Sequence, residues 1–316
     1  MRGVGNLTTQ MGIRMSRLGE FIAWHVNQIF PRLTIHYELK EGERTTETNQ
    51  AWSYNEAANI VFAFKPYWDL KGKHILDIGT GLGGKQPFYI EAGARTITGI
   101  DIDPQNVRVT KEHITRLGVN KRRNTTVMLV VSDAAAMPFS DNTFDAIVSI
   151  NVFEHIQNLE TAVQETFRVL KPGGIAYLHL PPYYGPWGPH LENWIHFPWP
   201  HLFFSDQTML RVAAREDAHS QLSSQLIPAA RIDWESTTSR VPNVNKVTFH
   251  KFHKTVKEVG FTILQLKLLP VGYQRVNSSE SWVERLALQI IGLGIHLPII
   301  QEAIITKMVF VLTKTS

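Results

Sequence analysis

The chain contains no cysteine. Disulfide staples, thiolate metal sites and cysteine nucleophiles are therefore excluded. Long apolar runs are missing too. The most apolar stretch, Leu286 to Ile300, is shorter than a membrane span and is broken by Gly292, Gly294 and Pro298, so it does not read as a transmembrane helix. Met1 to Gln10 lacks an apolar core followed by a small-residue cleavage site, so no secretory signal is expected and the reading is cytoplasmic. Charge is sparse at 19%, with a formal net charge of only +4. The densest basic run, Lys121, Arg122 and Arg123, sits beside a predicted strand start and reads as a solvated loop rather than a phosphate-binding patch, so no nucleic-acid partner is expected. There is no internal repeat and no low-complexity tract.

What is present is a globular composition: 316 residues, 43% of them hydrophobic, enough for one large core with a sizeable insertion. From Met11 to Phe30, apolar residues at Met15, Leu18, Ile22, Val26 and Ile29 predict a helix with one apolar face. Another helix is predicted from about Asn55 to Phe64. Strands are then predicted at Lys73–Ile78, Thr96–Asp101, Thr126–Val131, Phe144–Ile150 and Gly174–Leu180. Helices are predicted between them near Gln86–Glu91, Gln105–Leu117 and Glu160–Leu170. That alternation predicts βαβ units and a parallel sheet covered on both faces. Lys171-Pro-Gly-Gly174 reads as a tight stop between helix and strand. A helix near Val247–Val259 capped by Gly260, a strand at Phe261–Leu269 and a last strand at Ile304–Leu312 complete the pattern. The expected fold is α/β: a Rossmann-like, seven-stranded, mostly parallel sheet, with an N-terminal helical extension over residues 1–69 and a core over 70–180. An insertion after the fifth strand covers 181–245, and 246–316 complete the core.

Asp77-Ile-Gly-Thr-Gly-Leu-Gly-Gly84 falls between a predicted strand and a predicted helix. Glycines there allow positive φ and close approach of the backbone to a ligand. Gly79, Gly81 and Gly83 fit the loop of methyltransferases; Gly79, Gly81 and Gly84 fit the dinucleotide fingerprint, so the loop alone is ambiguous. Asp101, closing the next strand, has the chemistry to accept both hydrogen bonds of a ribose diol, which either cofactor carries. Asp77 immediately before the glycines can meet an ammonium, directly or through water. Asp133 in Ser132-Asp133-Ala134 can accept from an adenine amino group.

Taken in order, Ile75–Gly84, Gly99-Ile-Asp-Ile-Asp-Pro104, Ser132–Phe139, Phe144–Ile156 and Arg168-Val-Leu-Lys-Pro-Gly-Gly174 resemble the class I S-adenosylmethionine-dependent methyltransferases, with the nearest likeness to the small-molecule branch that includes the quinone-biosynthesis enzymes. The resemblance implies S-adenosyl-L-methionine as cofactor. It implies Asp77, Gly79, Gly81 and Gly83 at the methionine end and the loop, and Asp101 with Ile102 at the ribose. Asp133 with Ala134 falls at the adenine, and Asn151 beside the reacting centre. A nicotinamide-dependent oxidoreductase and a non-catalytic Rossmann scaffold are the competing readings.

Residues 181–204 carry six prolines between Pro181 and Pro200 and eight aromatic residues, a composition that predicts an ordered insertion rather than a linker. Tyr183, Tyr184, Trp187, Trp194 and Trp199 are the expected acceptor-binding residues, and an aromatic lining favours an apolar or ring-bearing small molecule. If the acceptor must lose a proton, His190 and His155 are the candidate bases. Glu192, His190, His196 and His201 lack metal-ligand spacing, so no metal is expected. The apolar face Met15–Ile29 and the apolar C-terminal stretch leave homodimerisation or peripheral membrane contact open.

Overall fold

The computed structural model describes residues 4–29, 45–118, 125–220, 244–271, 293–294 and 297–315, without the side chains of 4–16, 220, 298 and 299. The basic run Lys121–Arg123, the second half of the insertion, the Met15 side chain and most of the apolar stretch before Leu297 lie outside the described residues. The chain forms two compact units: Thr45–Tyr183 with Asn245–Ser316, and Met1–Arg44 with Tyr184–Val244.

The larger unit is built on one seven-stranded sheet. Its strands are β1 (His74–Ile78), β2 (Thr96–Asp101), β3 (Thr126–Val131), β4 (Phe144–Ile150), β5 (Leu170–Leu180), β6 (Thr262–Pro270) and β7 (Ile305–Thr313), in the order β3-β2-β1-β4-β5-β7-β6. The first five are parallel, while β7 runs antiparallel to both β5 and β6. Side-chain alternation sends neighbouring residues to opposite faces. Leu76, Ile78, Ile147, Leu178 and Phe310 pack with α5 (Leu159–Val169) and α8 (Phe249–Val259). Ile75, Ile97, Val148, Tyr177 and Val309 pack with α2 (Thr46–Phe64), α3 (Gln86–Glu91) and α4 (Pro104–Leu117). Both faces are covered, so the strands read as near-continuous apolar runs.

Two boundaries differ from expectation for local reasons. Helix α2 begins about two and a half turns early, because Thr45 and Thr48 form a reciprocal capping box. Lys171–Gly174 is part of β5: the strand starts at Leu170, opposite Phe144, and the register shifts between Phe144 and Ala146 to absorb Gly173 at φ +74°.

The smaller unit contains α1 (Val4–Ile29), α6 (Pro200–Phe203) and α7 (Asp206–Ser220). Here the expected apolar face of α1 holds only in part: Val26 packs against the unit's core. Leu18, Ile22 and Ile29 are exposed, whereas Ala23, Trp24 and Asn27 are buried. Asn27 explains the choice: its amide nitrogen donates to the Trp194 carbonyl at 2.8 Å and its oxygen accepts the His196 N–H at 2.6 Å. Leu191, Trp194, Ile195, Phe197, Met209 and Val212 complete this core.

In the larger unit, Arg168 of α5 ties down the turn after β3. Its guanidinium donates to the Met137 and Phe139 carbonyls at 3.0 and 2.6 Å, to both Glu165 oxygens and to Asp141. Arg168→Ala leaves these acceptors unserved and should lower stability by about 2–3 kcal/mol. A urea midpoint unchanged from the parent would refute that role.

Candidate functional site

The strand order reverses between β1 and β4, so the crevice beyond their carboxyl ends is where a ligand lies in an open parallel sheet. The glycine loop emerges there. Gly79, Gly81 and Gly83 all take positive φ, at +71°, +56° and +82°. The N–H groups of Gly79 and Thr80 donate to the Ile100 carbonyl at 2.9 Å each, which extends the β1–β2 pairing past the strand end. The loop is braced from behind. Thr110 donates to the Gly81 carbonyl at 2.8 Å, Lys85 to the Gly79 carbonyl at 2.9 Å and Gln50 of α2 to the Leu82 carbonyl at 2.7 Å.

The three glycines are needed for different reasons. A Cβ on Gly79 would lie 2.3 Å from a Val152 methyl, and one on Gly83 would lie 2.8 Å from a Thr110 methyl. A Cβ on Gly81 would meet no atom within 4 Å. That open space is what a cradle for a ligand requires, and the loop fits a nucleoside-bearing cofactor on this ground.

Asp77 is fully buried. Gln86 donates to one of its oxygens at 2.9 Å and to Thr80 as well, and the Tyr89 hydroxyl donates to the other oxygen at 3.2 Å. Burial lifts its carboxyl above the ordinary range, against the Lys85 ammonium and these hydrogen bonds. The structure thus places Asp77 beneath the loop, locked to α3. Asp101 faces the loop: one oxygen accepts the Gly81 N–H at 2.8 Å, the other the Asp103 N–H at 3.0 Å and the Asn106 amide at 3.2 Å. A carboxylate has about four lone-pair sites, so room for a diol donor remains. Ile102, next in the chain, is 69% exposed, an apolar side chain left uncovered beside that carboxylate. At the end of neighbouring β3, Asp133 is exposed and accepts the Ala135 N–H at 2.8 Å, with Ala134 buried beneath it.

Asn151 closes the set after β4. It takes φ +54°, and its N–H donates to the His179 carbonyl at 2.8 Å. Its side-chain amide donates to Glu56 at 2.7 Å and accepts from Lys307 at 2.9 Å. Glu154 and His179 lie buried close by, and among the described residues the Glu154 carboxyl oxygens and His179 Nδ1 meet no side-chain hydrogen-bond partner. Burial pushes the Glu154 carboxyl up and the His179 imidazole well down, the latter aided by the Lys307 ammonium. Glu56, Lys307, Gln50, Glu154 and His179 were not among the residues expected from sequence. One signal was available: Lys307 is a cation in an otherwise apolar strand.

The expected cofactor residues therefore share one rim along β3, β2, β1 and β4. The expected acceptor residues divide between the two units. Tyr183 belongs to the larger unit, where its N–H donates to the Val247 carbonyl at 2.7 Å and Lys246 stands 5.2 Å from its ring centre. Tyr184, Trp187, His190, Trp194 and Trp199 belong to the smaller unit. There Trp194 is 2% exposed with its indole N–H donating to Asp217, so it serves that unit's core. Tyr184 is exposed, Trp187 and Trp199 are half-buried, and His190 takes φ +56°. His155 is on the larger unit, with Nε2 3.9 Å from a Glu154 oxygen. Among the described residues no group of three histidine or acidic side chains is arranged to hold a metal, and no helix is long and apolar enough to cross a membrane.

A family model described as methyltransferase domain matches residues 76–178, the span from β1 to the end of β5. This chain carries a class I S-adenosylmethionine-dependent methyltransferase domain. Sterol 4-C-methyltransferase of Caenorhabditis elegans is 38% identical over 101 residues, 32% of this chain and 29% of that protein. Erythromycin 3″-O-methyltransferase of Saccharopolyspora erythraea is 32% identical over 184 residues, 50% of this chain and 56% of that protein. The chain thus spans about half or less of these relatives' length. Among solved structures the [4+2]-cyclase SpnF aligns over 95% of this chain and 96% of its own, with TM-score 0.50 and 16% identity, which shows a shared fold. Nothing supports the oxidoreductase reading, and the quinone branch is not what these relatives represent.

Two predictions separate loop structure from ligand contact in the methyltransferase domain. Gly81→Val should keep the fold but abolish S-adenosylhomocysteine binding, while Gly79→Ala should destabilise the protein by about 2–4 kcal/mol through its clash with Val152. Normal binding by Gly81→Val would reduce the loop to a turn. The second concerns Asp77. Because burial raises its carboxyl, the folded protein holds that proton more tightly than the unfolded chain does. Its contribution favours the fold below the unfolded carboxylate range and is lost as pH rises through the folded value. Asp77→Asn should therefore stabilise the unliganded protein at neutral pH, the gain fading below about pH 4. Urea titrations at both pH values check it, and equal midpoints at neutral pH would refute it.

Proposed function

We propose that the protein is an S-adenosylmethionine-dependent methyltransferase that acts on a small, apolar, ring-bearing acceptor. The observation that carries this reading is the rim itself: an open glycine cradle flanked by Asp101, Asp133 and Asn151 on adjacent strand ends at the switch point. Bound S-adenosylmethionine supplies a methyl group on a sulfonium, already a good leaving group. The chain's work is then to bind and orient. Asp101 takes the ribose diol with charge-assisted hydrogen bonds, Asp133 the adenine amino group, and Ile102 offers apolar surface to the base. Holding the acceptor nucleophile in line with the S–CH3 bond supplies most of the acceleration, as proximity effects do elsewhere.

The acceptor class draws on two supports. The relatives are named for a sterol and a macrolide, both bulky ring systems, and a third, norajmaline N-methyltransferase of Rauvolfia serpentina, is 31% identical over 113 residues. The second is the aromatic segment with Tyr183, Tyr184, Trp187 and Trp199, which supplies rigid apolar area. Where the acceptor is a hydroxyl, a base must take its proton. His155 and His190 are the candidates in this chain for that role.

Calorimetry with S-adenosylhomocysteine tests the cofactor assignment. The parent protein should bind it and should give no thermal shift with NADH. Asp101→Ala should weaken binding by about 1.5–3 kcal/mol, the loss of charged hydrogen bonds. Unchanged affinity in that variant would remove Asp101 from the site. Transfer of labelled methyl to a panel of sterol, alkaloid and macrolide acceptors then reads the acceptor class.

A further inference from the structure

Asn151 has both ends of its side-chain amide occupied by the protein itself. Nδ2 donates to Glu56 of α2 and Oδ1 accepts from Lys307 of β7, at 2.7 and 2.9 Å. These partners lie 95 and 156 positions away in the chain, so three separate elements meet at one amide. Neither Glu56 nor Lys307 falls within the matched segment 76–178. The consequence for the site is direct. An amide held at both ends is fixed in orientation, so the one N–H and one lone pair it has left point in a set direction.

The Asn151 main chain is in the left-handed region, φ +54°, which Asn tolerates better than most residues but at some expense. It leads into Val152, whose methyl groups occupy the space a Gly79 side chain would need. A change in the Asn151 backbone would move Val152, and with it the seat of the glycine loop. Gln50 performs a parallel task from the same helix: its amide donates to the Leu82 carbonyl at 2.7 Å, and its own carbonyl lies where a Gly84 Cβ would stand.

We propose that Glu56 and Lys307 are positioning residues for the cofactor, a two-sided clamp on Asn151 that fixes the end of β4 against the head of the glycine loop. The clamp rests on the cofactor reading above. Lys307 also offsets part of the acidity of this corner: its ammonium acts on the buried Glu154 carboxyl against burial and Glu56. Helix α2 is thereby a component of the cofactor site although it precedes the family segment.

The experiment is calorimetry of S-adenosylhomocysteine binding to the full chain and to Glu56→Ala, Lys307→Met, the double variant and Glu56→Gln, with melting temperatures of each unliganded protein. Each of the first two should lose about tenfold in affinity, the loss of one charged hydrogen bond. The double variant should lose about tenfold as well, not the hundredfold product, because both residues act through the same amide. Glu56→Gln keeps an oxygen for Asn151 Nδ2 and should bind within about threefold of the parent. Losses that multiply, Glu56→Ala binding like the parent, or Glu56→Gln failing as badly as Glu56→Ala would each overturn the clamp. So would a collapse of melting temperature in both single variants, since the pair would then hold the fold rather than the site. A parent protein that binds no S-adenosylhomocysteine removes the cofactor reading and the clamp with it; a parent that binds alongside unaffected variants removes the clamp alone.

Discussion

The site depends on one close approach, that of Gly79 to Val152 at the strand switch point. No side chain fits between them. The chain must therefore leave β1 in a left-handed turn, and that turn aims the next amides at β2. The Gly81 N–H ends on the Asp101 carboxylate, so the residue expected to read the ribose also closes the loop that cradles it. Loop conformation and carboxylate position are one geometric fact, which is why neither can be altered alone.

Around that contact the structure handles buried charge in two ways. Asp77 is surrounded by donors, two of them from the single helix α3, and works as an internal brace. Glu154 has the same burial but, among the described residues, no side-chain donor; the nearby charges of His155 and Lys307 and its own main-chain N–H are what oppose that burial. A buried carboxyl without donors favours its neutral form. Burial pushes both carboxyls up; at Asp77 the Lys85 ammonium and the donors of Gln86, Thr80 and Tyr89 oppose it, while at Glu154 the opposition comes mainly from the charges of His155 and Lys307.

Much of this was legible in the residues. The bounds of β2, β3, β4 and α3 fall where apolar runs meet glycine, proline and acidic residues, because strands buried on both faces leave an unbroken apolar signature. Helix α2 was legible only in its second half: Thr46–Tyr54 is polar, and its cap pairs Thr45 with Thr48 rather than with a glutamate. The buried face of α1 was misread in part because an asparagine, Asn27, anchors it through two main-chain bonds that no hydrophobic periodicity records. The aromatic composition after β5 fits a pocket wall and a small core equally, and Trp194 fills a core, its indole N–H satisfied by an aspartate inside the small unit. Glu56 carried no local pattern, and Lys307 only that of a cation in an apolar strand, as the residue that unites them is remote from both.

The shared fold with a [4+2]-cyclase shows what the sheet does not decide. The same architecture supports different chemistry, so function is argued from side chains at the strand ends. Here the sheet supplies a crevice and the glycines supply room for a nucleoside, features that a cyclase on this fold can share. What points to methyl transfer is narrower: the ordered set from Asp77 through Asp101 and Asp133 to Asn151, inside the matched segment. On the proposed reading the rim holds the cofactor, and selectivity among acceptors falls to residues outside that segment. The aromatic stretch after β5 is where the proposal looks for it; Tyr184, Trp187 and Trp199 lie outside the cluster that Trp194 helps to form.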